Sequence, residues 1–152
     1  MTAQLWRLYR AGYGAGIDGI GGTFADGRWH KQGELVVYFG ASAAIVVLER
    51  LAHLDPDLLP NDLRLGLFTF SKPVVPTDVR QLIDLPSHWP RTEETTRQVG
   101  GNWLRERSSS LLSVPSVILP EESNYVFNPR HADAKFLQLV RERAFTFDPR
   151  LL

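Results

Sequence analysis

The chain has 152 residues, 43% of them hydrophobic and 22% charged, an ordinary globular mixture that excludes intrinsic disorder and collagen-like repeats. Seventeen Lys+Arg offset seventeen Asp+Glu, so the basic excess of a dedicated duplex-DNA binder is missing and no direct nucleic-acid binding is expected. The longest apolar run, Ala43–Leu48, falls far short of the ~20 residues that span a bilayer, and with no cysteine in the chain disulfides, thiolate zinc sites and a Cys nucleophile are excluded.

The elements follow in chain order. Gln4–Arg10 is aromatic and apolar enough for a strand. Seven of the twelve glycines lie between Gly12 and Gly27, which makes a long backbone-exposing loop; such loops in compact domains are usually functional or disordered. Residues His30–Glu34 form a turn. Leu35–Phe39 is a continuous apolar run, a strand covered on both faces. Ser42 is an N-cap for a helix over Ala43–His53, ended by Asp55-Pro56. Leu63–Phe70 is another strand. Lys72–Pro90 carries four prolines and one short helix around Val79–Ile83. Glu93–Arg107 reads as a helix weakened by Gly100-Gly101. Val114–Leu119 is expected as a strand, Glu121–Arg130 as a loop with Asn124 and Asn128-Pro129 as turn formers, Ala132–Val140 as a short helix, and Ala144–Phe147 as a closing strand. Strands and helices mix without strict β-α-β alternation, which argues for an α+β fold in a single compact domain.

Four sets of residues are candidates for chemistry. Gly14-Ala15-Gly16-Ile17-Asp18-Gly19 matches G-x-G-x-x-G, but a dinucleotide fingerprint needs a helix opening at the motif. Here it runs into Ile20-Gly21-Gly22-Thr23, a poor helix, and a mobile glycine loop is the better reading. Glu49 lies on the inward stripe of its helix, with Ile45, Val46 and Ala52 among its neighbours at three and four residues. A carboxylate there costs free energy unless paired or used, so a functional acid and a structural ion pair with an arginine both stand. Glu49 and His53 are spaced i, i+4, yet His30, His53, His88 and His131 are scattered singly and no metal-binding signature is present, so no metal is assigned. Arg28-Trp29 with Tyr38 flank the turn between the glycine loop and a buried strand. Arginine is a planar, bidentate partner of phosphates, and fourteen of the seventeen cations are arginines, a bias that fits anion recognition or a GC-rich coding preference. Val114-Pro115-Ser116 with Asn124 and Asn128 lacks the G-x-S-x-G elbow of a serine hydrolase; Ser116 fits better as a hydrogen-bonding residue in a strand-lined cleft.

Taken in order, Leu5-Trp6-Arg7-Leu8, Gly27-Arg28-Trp29-His30, Val37-Tyr38-Phe39, Ala43 to Glu49, Val114-Pro115-Ser116 and Asn124 to His131 (NYVFNPRH) resemble the RES domain, over nearly the whole of residues 1–152. Each motif is short, and the order and spacing carry the match. His30 departs from the Asn common at that position in the family. The resemblance implies an ADP-ribosyltransferase-like split β core with surrounding helices and NAD+ bound in the cleft as substrate, with no further cofactor. It implies a cytoplasmic toxin that breaks the nicotinamide–ribose bond, with inorganic phosphate or water as acceptor: an NAD+ phosphorylase or NAD+ glycohydrolase. It also implies neutralisation by an Xre-type antitoxin protein; a homodimer or a toxin–antitoxin hetero-oligomer is the expected assembly. Under the resemblance Glu49, Arg28 and Tyr38 are catalytic, and Arg7, Arg28, Tyr38, Ser116 and Asn128 bind NAD+. Two alternatives stand beside this reading: an ADP-ribosyltransferase acting on a macromolecule, and a non-catalytic binding module of the same fold.

Overall fold

A computed structural model describes residues 3–152. Seven strands form one sheet in the order β4-β5-β6-β2-β1-β3-β7. They are β1 (Leu5–Arg10), β2 (Val37–Gly40), β3 (Leu63–Phe70), β4 (Thr77–Asp78), β5 (Leu111–Pro115), β6 (Ser123–Phe127) and β7 (Leu137–Ala144), with helices α1 (Ala43–Ala52) and α2 (Glu93–Glu106). All neighbours pair antiparallel except β4 with β5. The mixed architecture is the expected α+β class. No helix among the described residues is long and apolar enough to cross a membrane.

Side chains alternate across the sheet, so each strand feeds two layers. Leu5, Tyr9, Phe39, Phe68, Phe70 and Phe127 form a cluster on one side, covered by Ala15, Val74 and Phe136 from loops and a short turn. On the other side α1 packs Val46, Val47 and Leu51 with Trp6, Leu8 and Leu65. Trp103 and Leu104 of α2 pack there against Leu112, Val114 and Val126. The α1 cap is the expected one: the Ser42 hydroxyl accepts from the Ile45 N–H at 3.2 Å. Gly100, which looked like a weakness in α2, is there for packing. A Cβ at Gly100 would overlap the carbonyl oxygen of Trp29, so glycine lets α2 press onto the turn that carries Arg28 and Trp29.

Four expectations in the second half of the chain need correction. The strand placed at Val114–Leu119 is Leu111–Pro115: Pro115 has no N–H to continue a ladder, and Ser116 turns the chain by accepting from the N–H groups of Ile118 and Leu119. Glu121–Arg130 is no plain loop, since it holds β6 between β2 and β5; pairing on both sides outweighs the turn preference of Ser123 and Asn124. Ala132–Val140 is a 3₁₀ turn over Ala132–Phe136 followed directly by β7, and the closing strand is Leu137–Ala144 rather than Ala144–Phe147. Beyond Leu137 every residue of β7 is exposed, so it carries no apolar alternation; it forms because β3 leaves an edge to pair. In the proline-rich stretch the short helix is a 3₁₀ turn, Val79–Gln81, closed by a capping box between Asp78 and Gln81. The two residues before it form β4, which pairs with β5.

Candidate active site

The sheet splits at its centre. Among the described residues β1 and β2 register at one position, Trp6 opposite Gly40, while β1 continues along β3 and β2 along β6. Where the two strands part, their facing backbone groups lose each other as partners and must find new ones. Arg7 supplies a bridge. Its Nη1 donates to the carbonyl of Tyr38 at 2.9 Å and its Nε to the carbonyl of Ala15 at 2.8 Å. The side chain thus ties β1, β2 and the glycine-rich loop together at the fork.

The fork opens into a cavity of about 960 Å³, walled by Arg7, Tyr9, Arg10, His30, Tyr38 and the loop from Tyr13 to Gly27. In the loop Gly14, Gly16 and Gly19 all have positive φ, at 69°, 67° and 80°. A right-handed helix needs negative φ throughout, so the G-x-G-x-x-G stretch is not helical, and it runs into a single 3₁₀ turn, Ile20–Thr23, rather than an α-helix. Tyr13 and Phe24, which also line the cavity, are 82% and 74% exposed. Arg7 has no carboxylate partner among the described residues. Burial, with the nearby charge of Arg50 on α1 adding to it, brings its guanidinium down to about 10. A guanidinium held that way favours an anion beside it.

Tyr38 projects from β2 into this wall, and its hydroxyl is fully engaged. The Trp29 N–H donates to it at 3.2 Å, and His30 Nδ1 lies 2.7 Å away. His30 Nε2 faces the carbonyls of Gly22 at 3.2 Å and Ala25 at 3.0 Å. Carbonyls only accept, so the network assigns the proton to Nε2 in the neutral ring and leaves Nδ1 to accept from Tyr38. Burial raises the Tyr38 phenol well above its ordinary range, so it stays protonated. His30, one of four singly scattered histidines and a departure from the family motif, is 4% exposed and clasps the glycine loop to β2. A histidine following a glycine-rich loop is the one sequence signal that pointed there.

On the other side of the fork, Asn124 of β6 lies opposite Gly40 of β2 and Val114 of β5. Glu49 reaches this row from α1. Its Oε1 accepts from Ser116 Oγ at 2.7 Å and from Asn124 Nδ2 at 2.9 Å. No arginine pairs with Glu49 among the described residues, so the ion-pair reading of this carboxylate does not hold. Tyr38 is two residues along β2 from Gly40, ~7 Å at the rise of a strand, which sets the two clusters on neighbouring rows of one sheet. Asn124 had been read as a turn former, and its link to Glu49 depends on a strand the local sequence did not show.

The other named residues sit elsewhere. Arg28 donates from Nη1 to the carbonyl of Pro90 at 3.0 Å and from Nη2 to Glu93 at 3.5 Å, with its guanidinium 5.8 Å from the Trp89 ring centre. It joins the turn to the start of α2; of the predicted site residues Arg7 and Tyr38 line the cavity, while Arg28, Glu49, Ser116 and Asn128 do not, and neither does Asn124. Asn128 is 1% exposed; its Nδ2 donates to the Leu104 carbonyl and its Oδ1 accepts from the Arg130 N–H. Both ends of the amide are occupied, and Asn128 ties the end of β6 to α2. His53 caps the C-terminus of α1 in solvent. Among the described residues no three His, Asp or Glu side chains gather as a metal site.

The comparisons with known proteins agree with this architecture. The toxin MbcT in the crystal structure of the Mycobacterium tuberculosis MbcT–MbcA toxin–antitoxin complex superposes with a TM-score of 0.78, over 96% of this chain and 85% of that one, at 16% identity, which shows a shared fold. A protein of Pseudomonas putida named Toxin Res is 40% identical over 97% of this chain and 98% of its own length. A Sphingobium protein named Prs ADP-ribosylating toxin is 31% identical over 100% of this chain and 98% of its own. The RES domain family model matches residues 4–148, and the chain accordingly belongs to the RES domain family.

Proposed function

We propose that this protein is the toxin of a toxin–antitoxin pair and that it breaks the nicotinamide–ribose bond of NAD+. The observation that carries the reading is the Glu49 carboxylate, with one oxygen fixed by two donors and the other free, beside a fork whose cavity holds an arginine without an acid. Nicotinamide leaves NAD+ as a neutral base while positive charge develops on the ribose, as in glycosidases. A fixed carboxylate facing that charge stabilises the transition state more than the ground state, and Glu49 takes this role. Water or inorganic phosphate then attacks the anomeric carbon.

Arg7 suits the pyrophosphate, since its Nε and Nη1 are held by backbone and its Nη2 is left for an oxyanion. Arg28 is a second phosphate ligand only if it gives up the long contact with Glu93. Tyr38 offers its ring as a wall, because its hydroxyl proton is committed to His30. Ser116 acts by ordering Glu49. The antitoxin is a protein whose acidic segment fills the fork, where Arg7 lacks a counter-charge.

A second reading, transfer of ADP-ribose to a macromolecule, is favoured by the name of the Sphingobium relative. One experiment separates the two. Purified protein is given NAD+ labelled in the adenylate half, with and without inorganic phosphate, and with and without a cell lysate. Small labelled ADP-ribose products support degradation, and phosphate-dependent products identify phosphorolysis. Label retained on protein or nucleic acid supports transfer. Intact NAD+ in every arm rejects both.

A further inference from the structure

The donors around Glu49 are countable. Ser116 Oγ accepts from the Ile118 N–H at 3.1 Å and the Leu119 N–H at 3.2 Å. Its two lone pairs are thereby used, and its single proton is directed to Glu49 Oε1, 2.7 Å away. A hydroxyl bound in this way is neither a nucleophile nor a free substrate ligand. One such bond leaves the carboxylate able to swing about the contact. The second donor, Asn124 Nδ2 at 2.9 Å, comes to the same oxygen from another strand. Two donors on one oxygen from two directions fix the plane of the carboxylate and leave Oε2 as its working oxygen. Asn124 itself is well placed to do this. It lies in the middle of the sheet, with β2 on one side and β5 on the other, and its neighbour Val126 is fully buried.

We infer that Asn124 is a positioning residue for the cleavage proposed above: it acts through Glu49, aiming Oε2 at the developing positive charge, and does not bind substrate. The inference rests on that functional reading. It predicts a specific kinetic signature, because a group that orients a transition-state carboxylate contributes to turnover and not to substrate affinity.

The test uses the purified full chain with NAD+. Asn124→Ala is expected to lower kcat roughly ten- to a hundredfold, the scale of one lost hydrogen bond to a charged group, with KM changed less than about twofold. Asn124→Asp keeps the shape and replaces the donor with an acceptor, so it should lose at least as much. Asn124→Ser, which retains a donor, should recover part of kcat. In a cycle with Ser116→Ala the two losses should fall short of additive, since both act on one oxygen. Wild-type kcat in Asn124→Ala, or a loss confined to KM, overturns the inference while leaving the functional reading intact. If Asn124→Ala fails to fold by circular dichroism, the isosteric Asn124→Asp decides by the same criteria. If the wild-type chain leaves NAD+ untouched, the functional reading fails first and takes this inference with it.

Discussion

The two sides of the fork are built differently. Glu49 of α1 is held by two side chains, the Ser116 hydroxyl just past the end of β5 and the Asn124 amide on β6. Arg7 and Tyr38 are held mostly by backbone: the carbonyls of Ala15 and Tyr38, the N–H of Trp29, and through His30 the carbonyls of Gly22 and Ala25. Side chains on regular elements fix one atom to within a fraction of an ångström, which a reacting centre needs. A loop fixed by its own backbone tolerates change in its side chains, and it can adapt to a large substrate or to a protein partner. The division suggests chemistry on the Glu49 side and binding on the Arg7 side, and each of the following substitutions tests it.

The largest effect is expected at Glu49. In Glu49→Gln the Gln oxygen can still accept from Ser116 and Asn124, so the side chain keeps its place. The change is confined to the free end, where an oxyanion becomes an amide. Turnover of NAD+ should fall by at least ~10²-fold, as for loss of one preorganised electrostatic group, while the dissociation constant of NAD+, measured by calorimetry, stays near the wild-type value. A matching loss of affinity would mean that Glu49 belongs to the binding side after all.

Gly100→Ala strikes the opposite side through the scaffold. The added methyl overlaps the Trp29 carbonyl oxygen, so α2 must back away from the turn bearing Arg28, Trp29 and His30. Overpacking of this kind costs about 1–3 kcal/mol, to be read from urea denaturation. Substrate affinity should suffer with it, and kcat at saturating NAD+ should suffer less. Arg7→Lys comes next. It keeps a positive charge but cannot bridge two carbonyls and an oxyanion at once. KM should rise about tenfold, the low end for a hydrogen bond to a charged group, with kcat little changed; an unchanged KM would remove Arg7 from the phosphate site.

How much of this was legible in the sequence depends on whether the signal was local. β1, β3, α1 and α2 carry their own evidence in apolar pattern and caps, and Leu63–Phe70 matches its expected bounds. Asn-Tyr-Val-Phe-Asn-Pro reads locally as turn chemistry. It becomes a strand because β2 and β5, some 80 and 10 residues upstream, flank it. The site divides the same way. Glu49 stood out because an acid on an apolar helix stripe is anomalous within one helix. Its pairing with Ser116 and Asn124 spans 67 and 75 residues and depends on the strand that was missed. The contacts of Asn128 with Leu104 and Arg130 were not legible either, because a short motif says which residue is present and not which way its amide faces.

The smallest effect is expected at the far hinge of the glycine loop, where Asp62 precedes β3. Its backbone carbonyl accepts from the Ala11 N–H at 2.8 Å, and its carboxylate engages Arg10 and, at 3.5 Å, the Gly12 N–H. The hydrogen bond from Arg10 holds the Asp62 carboxyl below the usual carboxylate range. A carboxyl with a depressed folded-state pKa stabilises the fold above its unfolded value, and that contribution is lost as pH falls through the depressed one. The ion pair lies at the surface, with Asp62 partly exposed, and surface pairs are worth little, so Asp62→Asn should lower the melting temperature only slightly at neutral pH. The gap between variant and wild type should then close as pH drops below the usual carboxylate range, because protonated Asp62 resembles Asn. The backbone link to Ala11 survives the substitution, so the loop keeps its anchor and KM should move no more than a few-fold. A gap in melting temperature that persists in acid would show that Asp62 holds the loop by shape rather than by charge. The hinge would then resemble the side-chain scaffold around Glu49 more than the rest of its own loop.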